Sequence, residues 1–121
     1  MPGMSEYDPD NVFARILRDE IPSDRVYEDD ELVAFRDINP AAPTHIVVIP
    51  RGEPPTAPSG LRDGDAEWAG RMLVAAAKIA AELGLAESGY RLVLNSGGDA
   101  GQEVPHLHIH ILGGGRLGPI A

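Results

Sequence analysis

Apolar and polar positions change period along the chain, and each change marks an element. Between Asn11 and Ile21, Val12, Phe13, Ile16 and Leu17 recur at helical spacing, with Asn11 as a cap and Pro22 as the stop. Arg25–Glu28 and Leu32–Arg36 flank the acidic turn Asp29-Asp30-Glu31 and read as a hairpin. Asp37-Ile38-Asn39-Pro40 leads into a turn. Thr44–Pro50 is β-branched and apolar, a strand buried on both faces. Glu53–Gly60 holds three prolines and a glycine, which rules out regular structure and predicts a loop long enough to be mobile.

Asp65–Leu83 carries the clearest helical stripe, Trp68, Met72, Ala76, Ile79 and Leu83, with Gly84 at the expected stop. The stripe reads as core packing rather than a cofactor contact. Two strands follow, Tyr90–Asn95 and Pro105–Leu112, joined by the glycine-rich loop Ser96–Gln102. Helix, three strands, helix and two strands predict an α+β domain with an antiparallel sheet over residues 11–121. Residues 1–10 read as a flexible tail, and Met4 as a candidate natural start behind a three-residue leader.

Three of the four histidines lie in one segment, His106-Leu107-His108-Ile109-His110-Ile111-Leu112. Side chains on a strand alternate faces, so the histidines share one face while Leu107, Ile109 and Ile111 enter the core. Neighbouring histidines then stand roughly 6.6–7 Å apart and the outer pair about 13 Å. One phosphorus atom is out of reach of all three, so one ring reacts and the others support it. An imidazole of ordinary pKa offers a neutral nitrogen near pH 7. A phosphorylated histidine would split a displacement into two steps. The far ring nitrogen needs a fixed partner, either a backbone carbonyl or His45. Gly97, Gly98 and Gly101 free the preceding loop to approach an anion with its amides. On the strand alone the alternatives are a solvent-facing stripe and a zinc site completed by Glu103.

Composition narrows the field. The 121 residues suffice for one domain, and 43% hydrophobic residues make it globular. A formal net charge of −9 and 5% aromatics argue against nucleic acid and anionic membranes as partners. Zero cysteines remove disulfides, thiolate metal sites and thiol nucleophiles. No apolar run reaches the length of a membrane span and no secretory signal is visible, so a cytoplasmic protein is expected.

The segment His106–Leu112 resembles the histidine triad (HIT) signature, and the chain is similar to the Hint branch of that family. Ile21-Pro22, Glu28-Asp29-Asp30, Ala34-Phe35, Asp37-Ile38, Pro43-Thr44-His45, Val48-Ile49-Pro50, Asn95 and Gly101-Gln102 stand in the same order as that branch's landmarks. The resemblance spans about residues 11–115. It implies a five-stranded antiparallel sheet with two helices and a homodimer. It also implies hydrolysis or transfer at the α-phosphate of a purine nucleotide, with phosphoramidates the leading substrate class. By the same resemblance His108 is the nucleophile, His110 contacts phosphate, His106 supports the face and His45 orients His108. Asp37 and Ile38 meet the ribose, and Phe13, Ile16, Ile21 and Phe35 line the base pocket. Asn95 and the Gly101-Gln102-Glu103 backbone hold the phosphate.

Three departures stand out. Hint proteins with a structural zinc carry a Cys-x-x-Cys pair where this chain has Asn11 and Ala14, so no metal and no cofactor is expected. Glu103 occupies a position where some members have a serine proposed to protonate the leaving amine. The tail Arg116-Leu117-Gly118-Pro119 lacks the tryptophan common in that branch. Alternative functions are a dinucleoside polyphosphate hydrolase or phosphorylase and a nucleotide-binding regulatory protein with little turnover.

Overall fold

The computed structural model describes residues 6–121; the first five positions, including the candidate start Met4, lie outside the described residues. The elements run α1 (Val12–Leu17), β1 (Arg25–Glu28), β2 (Leu32–Arg36), β3 (Thr44–Pro50), α2 (Ala66–Glu82), β4 (Tyr90–Val93) and β5 (Ile109–Gly113). They form the expected α+β fold, with one antiparallel five-stranded sheet in the order β1-β2-β3-β5-β4.

The central strand β3 is buried on both faces, as its unbroken apolar run predicts. Ile46 and Val48 face α2 and pack with Met72, Ala76, Ile79, Leu107, Ile109 and Ile111. Val47 and Ile49 face the other way and pack with Phe13, Ile16, Val33 and Phe35. One face of the sheet therefore belongs to α2. The other belongs to α1 and, beside it, to the histidines. Fully burying a side chain such as Ile49 is worth about 1.5–3 kcal/mol, so both layers contribute to holding β3 at the centre.

Local chemistry sets several boundaries differently from the sequence reading. Helix α1 ends at Leu17, before Pro22, because Asp19 takes a left-handed conformation at φ 60° and the Glu20 amide closes back on the Arg15 carbonyl at 2.9 Å. Its start is as expected: the Asn11 Oδ1 accepts from the Ala14 amide at 2.9 Å. The two positions that carry zinc-binding cysteines in some relatives by resemblance are thus joined here by a capping bond. In the hairpin turn, Asp29 Oδ1 accepts from the amides of Glu31 and Leu32, both at 2.8 Å.

Strand β4 stops at Val93 rather than Asn95, and β5 begins at Ile109 rather than Pro105. The proline-rich loop is tied down. The Leu107 amide donates to the Pro55 carbonyl at 3.0 Å, and the Gln102 Nε2 donates to the Thr56 carbonyl at 2.6 Å. Thr56 and Ala57 are buried, so the expectation of a mobile loop is replaced by a packed one. Among the described residues no helix is long and apolar enough to cross a membrane.

Candidate active site

Sheet register brings the polar groups together. Val47 of β3 and Val93 of β4 both stand opposite His110, and His45 lies two residues before Val47 on the same face. His45 is therefore a diagonal neighbour of His110, a separation that a ring can bridge. The Asp37 amide donates to the His45 carbonyl at 2.9 Å just beyond the end of β2, which sets its carboxylate beside the His45 ring. The outcome is a short line of groups: Asp37 Oδ2 stands 3.5 Å from His45 Nε2, and His45 Nε2 stands 2.8 Å from His110 Nδ1.

The partners of each ring fix its tautomer. A neutral imidazole has one N–H and one acceptor nitrogen. The Ala41 amide donates to His45 Nδ1 at 3.0 Å, so the proton of His45 sits on Nε2. That N–H donates to His110 Nδ1, so the proton of His110 sits on its own Nε2. On His108 the order is reversed. Its Nδ1–H donates to the His106 carbonyl at 2.7 Å, which leaves His108 Nε2 with a lone pair. The His108 and His110 rings meet nearly perpendicular with centroids 4.8 Å apart. This is closer than ideal strand spacing because His108 precedes the ladder and its ring leans toward its neighbour. The site thus pairs one bare ring nitrogen with one ring N–H donor.

All four histidines are held neutral. Burial pushes His106 down to about 4, against the Pro50 carbonyl, which favours the charged form. Burial, and then the neighbouring His108 and His45, push His110 down to about 4 despite Asp37. Burial also lowers His108 and His45, opposed at His108 by the His106 carbonyl and Asp37 and at His45 by Asp37. Neutral imidazole at position 108 is the form that can attack an electrophile.

A cleft of about 430 Å³ opens over these rings. Its walls include the expected base-pocket residues Phe13, Ile16, Ile21 and Phe35, the expected ribose partners Asp37 and Ile38, and also Asn95, Gly101, Glu103, His45, His108 and His110. The size and the mostly apolar walls with few convergent polar groups suit a mononucleotide-sized ligand. Phe13 contacts the His108 ring edge-on at 4.9 Å, so the helix that closes the pocket also braces that ring. A larger and shallower groove of about 850 Å³ lies between α2 and the β1–β2 hairpin. Arg71 and Glu31 on its wall pair with each other at 2.7 Å, and no histidine lines it.

Three expectations change. His45 reaches His110 rather than His108, because the His106 carbonyl already holds His108 Nδ1. His106 does not line the cleft; it is fully buried behind it. Gln102 does not face a phosphate. Its amide N–H donates to the Gly97 carbonyl at 3.1 Å, and its side chain accepts from the Gly97 amide and donates to the Thr56 and Val104 carbonyls. The Gly101 amide likewise bonds within the loop, to the Gly98 carbonyl at 3.0 Å. Loop amides at 97, 101 and 102 therefore close the loop rather than cradle an anion.

Val12, Arg36, Asn39, Ala41 and Val104 line the cleft unannounced by the sequence. The Ala41 contribution is a backbone N–H, for which no side-chain pattern exists. Asp37, His45 and His110 also offer three ligand atoms within 4.8 Å of one another. A metal on His45 Nε2 would displace the proton that the Ala41 amide directs there, so the geometry fits a hydrogen-bond relay better than a cation site.

With this geometry in view, residues 18–117 match the HIT domain family, and the chain belongs to it. It is 52% identical to a purine nucleoside phosphoramidase of Escherichia coli over 114 residues, which covers 92% of each chain. It is 54% identical to a 13.2 kDa HIT-like protein of Azospirillum brasilense, over 94% of this chain and 93% of that one. Among solved structures, a histidine triad protein from Clostridium difficile superposes with TM-score 0.87 at 40% identity, covering 96% of this chain and all of that one, 100%. A HIT family hydrolase from Legionella pneumophila gives TM-score 0.83 at 44% identity, over 87% of this chain and 93% of that one.

Proposed function

We propose that this HIT-type hydrolase cleaves the P–N bond of purine nucleoside 5′-phosphoramidates through a nucleotidyl group carried on His108. The observation that carries the reading is the opposed pair of tautomers. His108 Nε2 is bare because its Nδ1–H is held by the His106 carbonyl, and the Nε2 of neighbouring His110 carries an N–H because its Nδ1 accepts from His45. Likeness to the E. coli phosphoramidase supports the substrate class.

In the first step the lone pair on His108 Nε2 attacks the α-phosphorus, an N–P bond forms, and the P–N bond to the amine breaks. The amine leaves with a proton passed to its nitrogen from the carboxylic acid form of Glu103, which is left as the carboxylate. Phe13, Ile16, Ile21 and Phe35 hold the base, and Asp37 takes the ribose hydroxyls with Oδ2, which stands 3.5 Å from His45 Nε2, since Oδ1 already accepts from the Asn39 amide at 2.8 Å. His110 Nε2–H donates to a phosphoryl oxygen where negative charge builds. In the second step water attacks the same phosphorus and gives a proton to the Glu103 carboxylate, the bond to His108 breaks, and the ring regains its lone pair. Glu103 is the cleft carboxylate proposed to handle a proton in these steps, and Asn95 adds a polar side chain near the phosphate. A net charge of −9 is compatible with this substrate because recognition rests on directed donors and apolar walls rather than on a cationic field.

A homodimer belongs to the same proposal. Strand β4 is a sheet edge, and Leu73 and Val74 on the outer side of α2 are half exposed, at 49% and 55%. Light scattering would report twice the chain mass if the proposal holds and the single chain mass if it does not.

The experiment is His108→Ala assayed with adenosine 5′-phosphoramidate and, in parallel, with a diadenosine polyphosphate. Phosphoramidate turnover should fall by orders of magnitude while AMP still binds. Unchanged turnover would remove His108 from the chemistry. A wild-type preference for the polyphosphate would replace the substrate class but keep the nucleophile.

A further inference from the structure

Upstream of α1, in the stretch read from sequence as tail, the half-buried Tyr7 reaches the buried ring of His106. Its hydroxyl stands 2.9 Å from His106 Nδ1, and the two rings are tilted with centroids 5.6 Å apart. The Gly52 carbonyl is the alternative acceptor, but at 3.5 Å it is the longer contact. On the far side of the same imidazole, His106 Nε2 stands 2.8 Å from the Pro50 carbonyl. A carbonyl only accepts, so the His106 proton sits on Nε2 and Nδ1 is left as an acceptor. Tyr7 is the donor that satisfies it. Burial holds the Tyr7 phenol above its ordinary pKa, so that hydroxyl keeps its proton at neutral pH. Phe13 packs edge-on against His106 at 6.1 Å and closes a third side of the ring.

The held ring has a consequence one bond further on. The backbone carbonyl of this same residue, His106, accepts from His108 Nδ1 at 2.7 Å and so decides which nitrogen of His108 is bare. Residues 106–108 lie outside the β5 ladder, which begins at Ile109. Strand pairing therefore does not fix that carbonyl; the Leu107 amide of the same planar peptide unit holds one end of it, donating to the Pro55 carbonyl at 3.0 Å, and the ring bonds of His106 hold the other. The His106 amide bonds locally, to the Val104 carbonyl at 2.9 Å, and the ring adds long-range ties from the side chain, reaching Pro50 on β3 and Tyr7 at the other end of the chain.

We infer that Tyr7 is a positioning residue for catalysis: by pinning the buried His106 ring between its own hydroxyl and the Pro50 carbonyl, it holds the His106 carbonyl where it directs the proton of His108 to Nδ1. The inference rests on the proposed role of His108. It assigns Tyr7 no contact with substrate. The segment before α1 is then part of the active-site scaffold, and its effect should appear in turnover rather than in nucleotide affinity.

The test is Tyr7→Phe in the full chain, which keeps the ring and removes only the donor. With adenosine 5′-phosphoramidate, kcat should fall about two- to tenfold, the effect of one neutral hydrogen bond, with KM within about twofold of wild type. ¹⁵N NMR of the histidine rings gives a readout independent of turnover. In the wild type, His106 should be protonated on Nε2 and His108 on Nδ1. In Tyr7→Phe the nitrogen signals of His108 should move toward tautomer averaging, while His106 keeps its Nε2 proton against the Pro50 carbonyl and its Nδ1 signal shifts on losing the donor.

Wild-type kcat in a folded variant, a change confined to KM, or unmoved His108 signals would each overturn the inference. Should the variant fail to fold, the wild-type spectrum still decides, because a proton on His106 Nδ1 contradicts a donated bond from Tyr7. If the wild type shows no phosphoramidate turnover at all, the proposed function fails, and the ring spectra alone judge the role of Tyr7.

Discussion

Replacing His45 with leucine tests the relay behind His110. His45 is buried, 8% exposed, and has two polar contacts of consequence: it accepts from the Ala41 amide at 3.0 Å and donates to His110 Nδ1 at 2.8 Å. Leucine keeps much of the volume and removes both. Ala41 is exposed, so water replaces the first bond and the stability cost stays near 1 kcal/mol. The second loss matters for chemistry. With no donor on its Nδ1, His110 is free to carry its proton on either nitrogen, and the fraction with an Nε2–H aimed into the cleft drops. One neutral hydrogen bond is worth about 0.5–1.5 kcal/mol, which at about 1.4 kcal/mol per decade is roughly a two- to twelvefold fall in kcat/KM.

The assay is steady-state hydrolysis of adenosine 5′-phosphoramidate, with thermal unfolding as the control for fold. His45→Gln, whose amide still offers N–H donors, should recover part of the loss. A folded His45→Leu protein with wild-type kcat/KM would refute the relay. A loss of about a hundred- to a thousandfold, the range seen when a direct transition-state donor is removed, would place His45 in the chemistry itself.

Two further outcomes follow from the buried polar groups. His106 and His110 are pushed from the ordinary 6.5 down to about 4, so between those values the unfolded chain binds more protons than the folded one; stability should be full above about pH 6.5 and decline as pH falls toward about 4, read as falling urea midpoints, and a flat profile would show that these rings are not buried neutral. Gln102→Ala removes three side-chain bonds, one closing the glycine loop at Gly97, one to Val104 and one tying it to the proline-rich loop at Thr56, and should cost about 2–3 kcal/mol in chemical denaturation, with faster amide exchange at Gly97; unchanged stability would contradict the anchoring role.

What could be read in advance follows the reach of side-chain patterns. The alternation at 106–112 put Leu107, Ile109 and Ile111 in the core and the histidines on the opposite face, and the stripe on α2 located the layer that covers that core. The unbroken apolar run of β3 announced burial on both sides, since a strand between two layers has no polar face to show. The landmarks Asp37, Asn95 and the Phe13–Phe35 group fall around one cleft. Less was visible where backbone atoms decide. Asp19 ends α1 by its conformation, which an aspartate sequence does not announce. The glycine loop looked like an anion cradle, yet Gln102 turns its amide inward and engages the loop. The tautomers of His45, His108 and His106 are set by the Ala41 amide, the His106 carbonyl and the Pro50 carbonyl, groups present in any sequence. Tyr7 is distant in sequence from His106, and no local spacing links them.

A covalent bond between phosphorus and His108 would leave its record in the stereochemistry at phosphorus, which is read without needing the intermediate to accumulate. An adenosine 5′-phosphoramidate made chiral at phosphorus by sulfur substitution, hydrolysed in ¹⁸O-labelled water, yields a product whose configuration counts the displacements, since each in-line attack inverts the centre. Attack by His108 followed by water predicts net retention. Net inversion would mean that water attacks the substrate directly, and the nucleophilic role of His108 would be contradicted.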